Sequence, residues 1–209
     1  MLRDKKIDEF IDLMGSDAPA PGGGASAALN CAQGAALAAM TAKITLTNDK
    51  YSKYFDVCSE ASSKLEKQTR IYLELMEKDA DAYEEVIRAY RLQKSGEDEQ
   101  KEERRAAIEK ALTEAMGIPL SILRLAADTL TVTDSLVGRS SAGIAGDLGA
   151  SACNIESGVR ISYLNILANA RSIKDRDAAD KALTEARELF LQIQKLSDGI
   201  YMRVKASLL

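Results

Sequence analysis

The sequence contains no histidine and no tryptophan, and it has only three prolines in 209 residues. Without histidine, a Ser-His-Asp or Cys-His nucleophile system, a His-ligated zinc site and the Glu-x-x-His di-iron site of ferritin-like bundles are all excluded. Proton transfer near neutral pH must then fall to Asp, Glu, Lys, Tyr or Cys, whose pKa depends on the surroundings. We expect no metal site.

Charge and cysteine content further limit the classes of protein to which the chain could belong. There are 32 acidic against 28 basic side chains, and this balance argues against nucleic acid as the main partner, which would require a basic face. Cys31, Cys58 and Cys153 form no CxxC pair, so we expect reduced thiols in a cytoplasmic protein. The segment from Ala18 to Ala42 carries no charge, but Ala and Gly gain little from lipid. It predicts a helix buried in protein rather than a membrane span.

The apolar pattern predicts an all-α fold. No stretch alternates apolar and polar residues as a strand would, and no linker separates domains, so residues 1–209 are expected to form one bundle of long antiparallel helices. The predicted helices are residues 3–14, a small-residue helix ending near Leu46, 52–93, 99–127 carrying Pro119, 145–171, and a last helix reaching about residue 206.

The sequence also predicts where the helices are capped and which segments connect them. The first helix should turn Ile7, Phe10, Ile11 and Met14 inward and end at Gly15. Asp175 or Asp177 should cap the last helix. The segment KSGEDEQ is expected to form a solvated turn, and TLTVTDSLVGRSSAG a looser connection.

A glycine triplet and one aspartate are the first candidates for a site. Gly22, Gly23 and Gly24 open the small-residue helix, where free N–H groups can hold an anion or the polar edge of a ligand, although flexible turns use such triplets too. Asp79 falls on the apolar stripe of the 52–93 helix, whereas Asp81 is rotated away from that stripe. A carboxylate on a core face is either paired with a cation of a neighbouring helix or serves a cleft as a base.

The 145–171 helix carries the stronger anomaly. Spacings of four and three connect Asp147, Ser151, Asn154, Gly158, Ser162, Asn165 and Asn169 on one face. None of them is Lys, Arg or Glu, the usual residues of a solvated face, and Asn is a poor helix former. The stripe is either a tight helix contact or the wall of a polar cleft. Together with Asp79 it favours the cleft.

Four segments resemble a known family over essentially the whole chain: APAPGGGASAAL, KDADAYEEVIRAYRLQK, EAMGIPLSI and GDLGASACNIESGVRISYLNILANARSIKD. They are similar to the cyclodeaminase domain of formiminotransferase-cyclodeaminase and to the free-standing methenyltetrahydrofolate cyclohydrolases. The resemblance implies an all-helical fold, a homodimer or larger homo-oligomer, and a folate cleft at or near a subunit interface.

The resemblance also implies an activity. We expect hydrolysis of 5,10-methenyltetrahydrofolate to 10-formyltetrahydrofolate. The alternatives are the ammonia-releasing cyclodeaminase reaction on 5-formiminotetrahydrofolate, or a non-catalytic folate-binding or scaffold relative. No cofactor beyond the tetrahydrofolate substrate is expected, because the methenyl carbon is already an electrophilic amidinium.

Roles for individual residues follow from the same resemblance. Asp79 and Asp147 are the predicted catalytic residues: Asp79 is the expected base or cation stabiliser, and Asp147 is expected to accept hydrogen bonds from the pterin. Arg91 matches a family arginine and is expected to meet the glutamate tail. The predicted substrate-binding residues are Gly22, Gly23, Gly24, Ser26, Lys50, Arg91, Asn154, Asn165 and Asn169.

The chain departs from the family pattern at three places. Ala25 stands where a serine often follows the triplet, Gln93 replaces a proline, and Lys50 alone remains of a basic cluster. The loss of the basic cluster is the best support for a non-catalytic relative. A coiled-coil interaction module is disfavoured, because the small-residue helices lack a sustained heptad of large apolar residues.

Overall fold

The computed structural model describes residues 1–92 and 98–209, and these residues form an all-helical bundle. Six α-helices follow one another: α1 (Ile7–Met14), α2 (Gly23–Leu46), α3 (Phe55–Arg91), α4 (Asp98–Leu136), α5 (Gly146–Ala170) and α6 (Arg176–Ser207). Three short 3-10 helices, Leu2–Asp4, Asp49–Tyr54 and Ala142–Ile144, lie between or before them. The all-α prediction is confirmed.

Helix α2 lies at the centre of the bundle, packed on α3, α4 and α5. Its buried residues are all Ala, Gly, Cys or Thr. A Cβ on Gly34 would lie 2.8 Å from the Ser151 carbonyl oxygen, and a Cβ on Gly158 would lie 2.5 Å from the Ala27 carbonyl oxygen. Close approach of α2 and α5 therefore depends on these two glycines, as the small-residue composition predicts.

Helix α4 extends further than expected. The segment TLTVTDSL, predicted to be loose, continues the helix to Leu136. The hydroxyls of Thr129, Thr131 and Thr133 donate to carbonyls four residues earlier, and Leu130 and Leu136 are fully buried. Burial of this face outweighs the low helix propensity of threonine. Asp98–Gln100 of the predicted turn KSGEDEQ also belong to α4, and its residues 94–97 lie outside the described residues.

Helix α1 buries less than its pattern indicates. Only Phe10 is buried, whereas Ile7 and Ile11 are 84% and 56% exposed, so their predicted inward orientation is wrong within the described chain. Gly15 does end this helix. Ahead of α1, the backbone N–H groups of Leu2 and Arg3 donate to the Glu77 carboxylate on α3.

The remaining boundaries agree closely with the pattern. Helix α5 spans Gly146–Ala170, and Asp175 caps α6 by accepting a hydrogen bond from the Ala178 N–H at 3.0 Å. Within the described residues, one helix, Gln100–Leu136, is long and apolar enough to cross a membrane by length and composition alone. That helix packs against α3, α5 and α6.

Candidate active site

A cleft of about 300 Å³ opens where the N-terminus of α2 meets the C-terminal part of α5 and the middle of α3. The wall from α2 is Gly22, Gly23 and Gly24, while Leu112 and Ala115 of α4 close the opposite side. The described lining residues include one carboxylate, Asp79, and no Lys or Arg.

Asp79 sits against the first turn of α2. A Cβ on Gly24 would overlap the carboxylate, lying 2.5 Å from Oδ2, so only glycine leaves room for Asp79 at this point. Burial raises the pKa of Asp79, and a hydrogen bond from the Ala25 backbone N–H partly opposes that rise. The free N–H groups of a helix N-terminus favour a negative charge. Asp79 is therefore held by a backbone donor yet remains a better base than an exposed aspartate.

Two amides face the same cleft from α5. Asn165 and Asn169 both line it, and a Cβ on Gly23 would lie 3.6 Å from Asn165 Oδ1. No hydrogen bond to a described residue occupies either side-chain amide. Each amide therefore offers one acceptor and two donors to a ligand.

The outer half of the cleft is formed by residues that the sequence analysis does not predict to belong to a site. Ala82, Tyr83 and Val86 on α3 line it together with Pro19 and Ala20 of the connector. Tyr83 lies on the apolar stripe of α3, as its spacing from Asp79 predicts, but it is 45% exposed. Residues three, four and seven positions after Asp79 share its helix face, so the spacing from Asp79 could have identified this wall.

Five predicted site residues lie outside the cleft lining of the described chain: Ser26, Lys50, Arg91, Asn154 and Asp147. Arg91 is twelve residues beyond Asp79 on α3, roughly 18 Å along the axis. Asp147 opens α5, roughly 27 Å along the helix from Asn165. Within one chain, Asp147 therefore does not line the cleft that Asn165 and Asn169 line.

The middle of the α5 stripe is a helix contact. Ser151, Gly158 and Ser162 are buried, and the two serine hydroxyls have no hydrogen-bond partner among the described residues. The Asn154 amide donates to the Ala150 carbonyl on its own helix. Both interpretations of the stripe therefore hold: tight packing on α2 in its middle, and a polar cleft wall at its C-terminal end.

The arrangement suits a positively charged, planar ligand. A carboxylate without a neighbouring cation attracts positive charge in a partly desolvated cleft. The amides can bind a heterocycle edge, and Tyr83 offers an aromatic face. Among the described residues, no three His, Cys, Asp or Glu side chains lie close enough together to hold a metal ion.

Comparison with known proteins assigns the chain to a family. The model of the formiminotransferase-cyclodeaminase family matches residues 6–188. The chain belongs to the formiminotransferase-cyclodeaminase family. It is similar to the methenyltetrahydrofolate cyclohydrolase of Methylorubrum extorquens, with 31% identity over 99% of both chains.

Longer members of the formiminotransferase-cyclodeaminase family are also similar. The formimidoyltransferase-cyclodeaminase of Dictyostelium discoideum is 28% identical over 93% of this chain, which spans about a third of that protein (35%). The crystal structure of formiminotetrahydrofolate cyclodeaminase from Thermotoga maritima superposes with a TM-score of 0.85 at 26% identity, covering 99% of this chain and 97% of the other.

Proposed function

We propose that the protein hydrolyses 5,10-methenyltetrahydrofolate to 10-formyltetrahydrofolate in the cleft around Asp79. The observation that carries this proposal is the partly buried carboxylate, held at the N-terminus of α2 in a cleft whose described lining has no cation. The substrate's amidinium carbon shares a positive charge with two nitrogens, and such a cation complements Asp79. The 31% identity to a cyclohydrolase over nearly the full length supports this reaction.

The chain's own groups account for each proton. Water attacks the amidinium carbon, forming a C–O bond, while Asp79 accepts one water proton. The bond from this carbon to N5 then breaks, N5 takes the proton back from Asp79, and the remaining hydroxyl proton leaves to solvent as the formyl C=O forms. One positioned carboxylate thus acts first as general base and then as general acid.

Asn165 and Asn169 are proposed to hold the pterin edge, and Gly22, Gly23 and Gly24 to bring backbone N–H groups near it. The substrate is a tetrahydrofolate derivative, and the proposal requires no metal or other cofactor. It also includes a cytoplasmic location and a homodimeric or larger assembly.

The cyclodeaminase reaction is the second candidate, because the chain superposes with a TM-score of 0.85 on a protein described as formiminotetrahydrofolate cyclodeaminase. The same carboxylate can stabilise the cation formed as the formimino group closes. Measuring ammonia release from 5-formiminotetrahydrofolate, in parallel with loss of methenyl absorbance, decides between the two reactions.

Replacement of Asp79 by Asn tests the proposal. Loss of a general base is expected to lower kcat by about a hundredfold or more, measured as decay of methenyl absorbance with spontaneous hydrolysis subtracted. The matched control is Asp81→Asn, which removes an exposed carboxylate two residues along the same helix and should leave kcat unchanged. An Asp79→Asn enzyme with wild-type turnover would remove Asp79 from the reaction.

A further inference from the structure

The position of Asn169 in the cleft depends on the chain that follows helix α5. Asn169 is the last residue but one of this helix, which ends at Ala170, and the last turn of a helix lacks part of its internal hydrogen bonds. Asn165, by contrast, lies one turn earlier and beside Gly23 of α2. The direction of the Asn169 amide is therefore set by residues 171–175, which we call the α5–α6 turn.

The α5–α6 turn is closely bonded to the end of α5. The Asn169 carbonyl accepts a hydrogen bond from the Ser172 N–H at 3.0 Å. The Arg176 guanidinium donates to the Ala170 carbonyl at 2.9 Å and to the Ile173 carbonyl at 3.3 Å. Ile173 is itself only 2% exposed. A shift of this turn would therefore be passed on to Asn169.

One side chain fastens the α5–α6 turn to another helix. The Glu109 carboxylate of α4 accepts from the Lys174 N–H, at 2.8 Å to Oε1 and 3.0 Å to Oε2, and from the Asp175 N–H at 2.9 Å to Oε1. Hydrogen bonds from backbone N–H groups to a carboxylate are stronger than those between neutral groups. Glu109 thus links α4 to the turn that follows Asn169.

Glu109 is also close to the cleft along its own helix. Leu112, three residues later on α4, lines the cleft, and Asn169 lines it from α5. Residues three apart are neighbours on the surface of a helix. The Glu109 carboxylate therefore connects the α4 wall of the cleft to the end of its α5 wall.

The need for a hydrogen-bond acceptor does not by itself explain this contact. Lys174 and Asp175 are exposed, so water could satisfy both backbone N–H groups. A carboxylate on α4 adds a fixed connection between two parts of the fold, which an exchanging water molecule does not provide. We propose, building on the proposed function, that Glu109 is a positioning residue: by fastening the α5–α6 turn to α4, it holds the Asn169 amide against the pterin edge of the substrate.

Glu109→Ala tests the positioning role. Release of the turn is expected to raise KM for 5,10-methenyltetrahydrofolate by about fivefold, the size expected for one lost hydrogen bond, with little change in kcat because Asp79 is untouched. Glu109→Gln keeps Oε1, the oxygen that accepts from both N–H groups, and should bring KM back to within about twofold of the wild type. A Glu109→Ala enzyme with wild-type KM overturns the inference.

Glu77→Ala is the matched control. The Glu77 carboxylate makes the same kind of contact, accepting from the backbone N–H groups of Leu2 at 2.9 Å and Arg3 at 2.8 Å, but neither residue is among the described lining of the cleft. Residues two apart on a helix do not face each other, so the change leaves Asp79 in place. Both variants should lose similar stability in thermal melting, and only Glu109→Ala should raise KM. An equal rise in KM for the two variants overturns the inference.

A double-mutant cycle identifies the residue through which Glu109 acts. In an Asn169→Ala background, Glu109→Ala should raise KM much less than in the wild type, because the amide that it positions is gone. In an Asn165→Ala background it should keep its full effect. An effect of Glu109→Ala that is undiminished in the absence of the Asn169 amide overturns the inference.

Hydrogen exchange separates this inference from the proposed function. Exchange of the Lys174 and Asp175 amides needs no substrate, and Glu109→Ala should speed it by about tenfold, whereas Glu77→Ala should leave it unchanged. Unaltered exchange in Glu109→Ala overturns the inference even if KM rises. The proposed function fails separately, through full activity of Asp79→Asn, whatever the result for Glu109.

Discussion

Helix α2 makes two contacts that each require a glycine, and they serve different purposes. At Gly24 the missing Cβ makes room for the Asp79 carboxylate, whereas at Gly158 it makes room for the backbone of α2 itself. The contact at Gly24 leaves room for a carboxylate in an open cleft, and the contact at Gly158 lets α2 and α5 pack closely where they cross. The same absence of a Cβ is therefore proposed to contribute to activity at Gly24 and to stability at Gly158.

The largest expected effect is a loss of stability where α2 and α5 cross at Gly158. A Cβ at position 158 would lie 2.5 Å from the Ala27 carbonyl oxygen and from Cys31 Sγ, and neither α2 nor α5 can move away without unpacking others. We expect Gly158→Ala to lower the free energy of unfolding by about 3 kcal/mol or more, measured by urea denaturation. The control is Gly117→Ala, whose added Cβ meets nothing within 4 Å and whose helical position should gain stability.

Gly24→Ala should separate the two purposes. The new methyl group displaces the Asp79 carboxylate, which lies in an open cleft and can rotate, so we expect kcat/KM to fall at least about tenfold with a much smaller loss of unfolding free energy. Steady-state kinetics and thermal melting measure the two effects. A Gly24→Ala protein that melts far below wild type while its folded fraction keeps full activity would contradict the distinction.

A moderate effect is expected from Asn165→Ala. Removing one amide that holds the substrate edge should raise KM by up to about tenfold, as expected for one hydrogen bond, and leave the stability of the bundle nearly unchanged. Gln192→Ala removes an exposed amide on α6 and is the matched control. Equal KM values for the Asn165→Ala enzyme and the wild type would show that Asn165 only lines the cleft.

The smallest effect is a difference between two pH profiles. Because burial raises the pKa of Asp79, kcat/KM should fall as the pH drops through that raised value. Bound cationic substrate favours the ionised carboxylate, so the corresponding limb of kcat should lie at lower pH. The Asp79→Asn enzyme should lack the limb in both profiles.

The free energy of unfolding should also depend on the ionisation of Asp79, but in the opposite direction to activity. A folded-state pKa raised above the unfolded value makes Asp79 stabilising at low pH, and this contribution is lost as pH rises through the folded pKa. At neutral pH, Asp79→Asn should therefore be at least as stable as the wild type. Chemical denaturation at several pH values measures the difference, and a variant that loses stability as pH rises relative to the wild type would contradict the sign.

Sequence patterns predict those parts of the molecule that depend on neighbours along one helix. Asp79 stands out because its position on an apolar stripe violates the pattern, and the family motif points to the same residue. The sequence pattern does not predict that Tyr83 lines the cleft, because an aromatic residue on that stripe fits a buried core equally well. Whether Ile7 and Ile11 are covered depends on packing partners far along the chain, which no local pattern specifies.

The stripe on α5 shows the same limit. Its spacing places seven small or polar residues on one face. The spacing does not predict which of these residues contact α2 and which line the cleft. Ser151 is buried where α5 packs against Gly34 of α2, whereas Asn165 lies beside Gly23, the first residue of α2. The difference depends on where two helices cross, and this is a property of three-dimensional packing.

The close packing at Gly34 and Gly158 determines the position of α2 along α5 as well as the strength of their contact. Because each accepts the backbone or a side chain of the opposite helix, sliding α2 by a turn along α5 would drive a Cβ into main-chain atoms. Gly24, which makes room for Asp79, is on α2 and Asn165 is on α5, so close packing at Gly34 and Gly158 fixes the distance between these two walls of the cleft. A change at either glycine is therefore expected to shift the two sides of the cleft as well as to loosen the core.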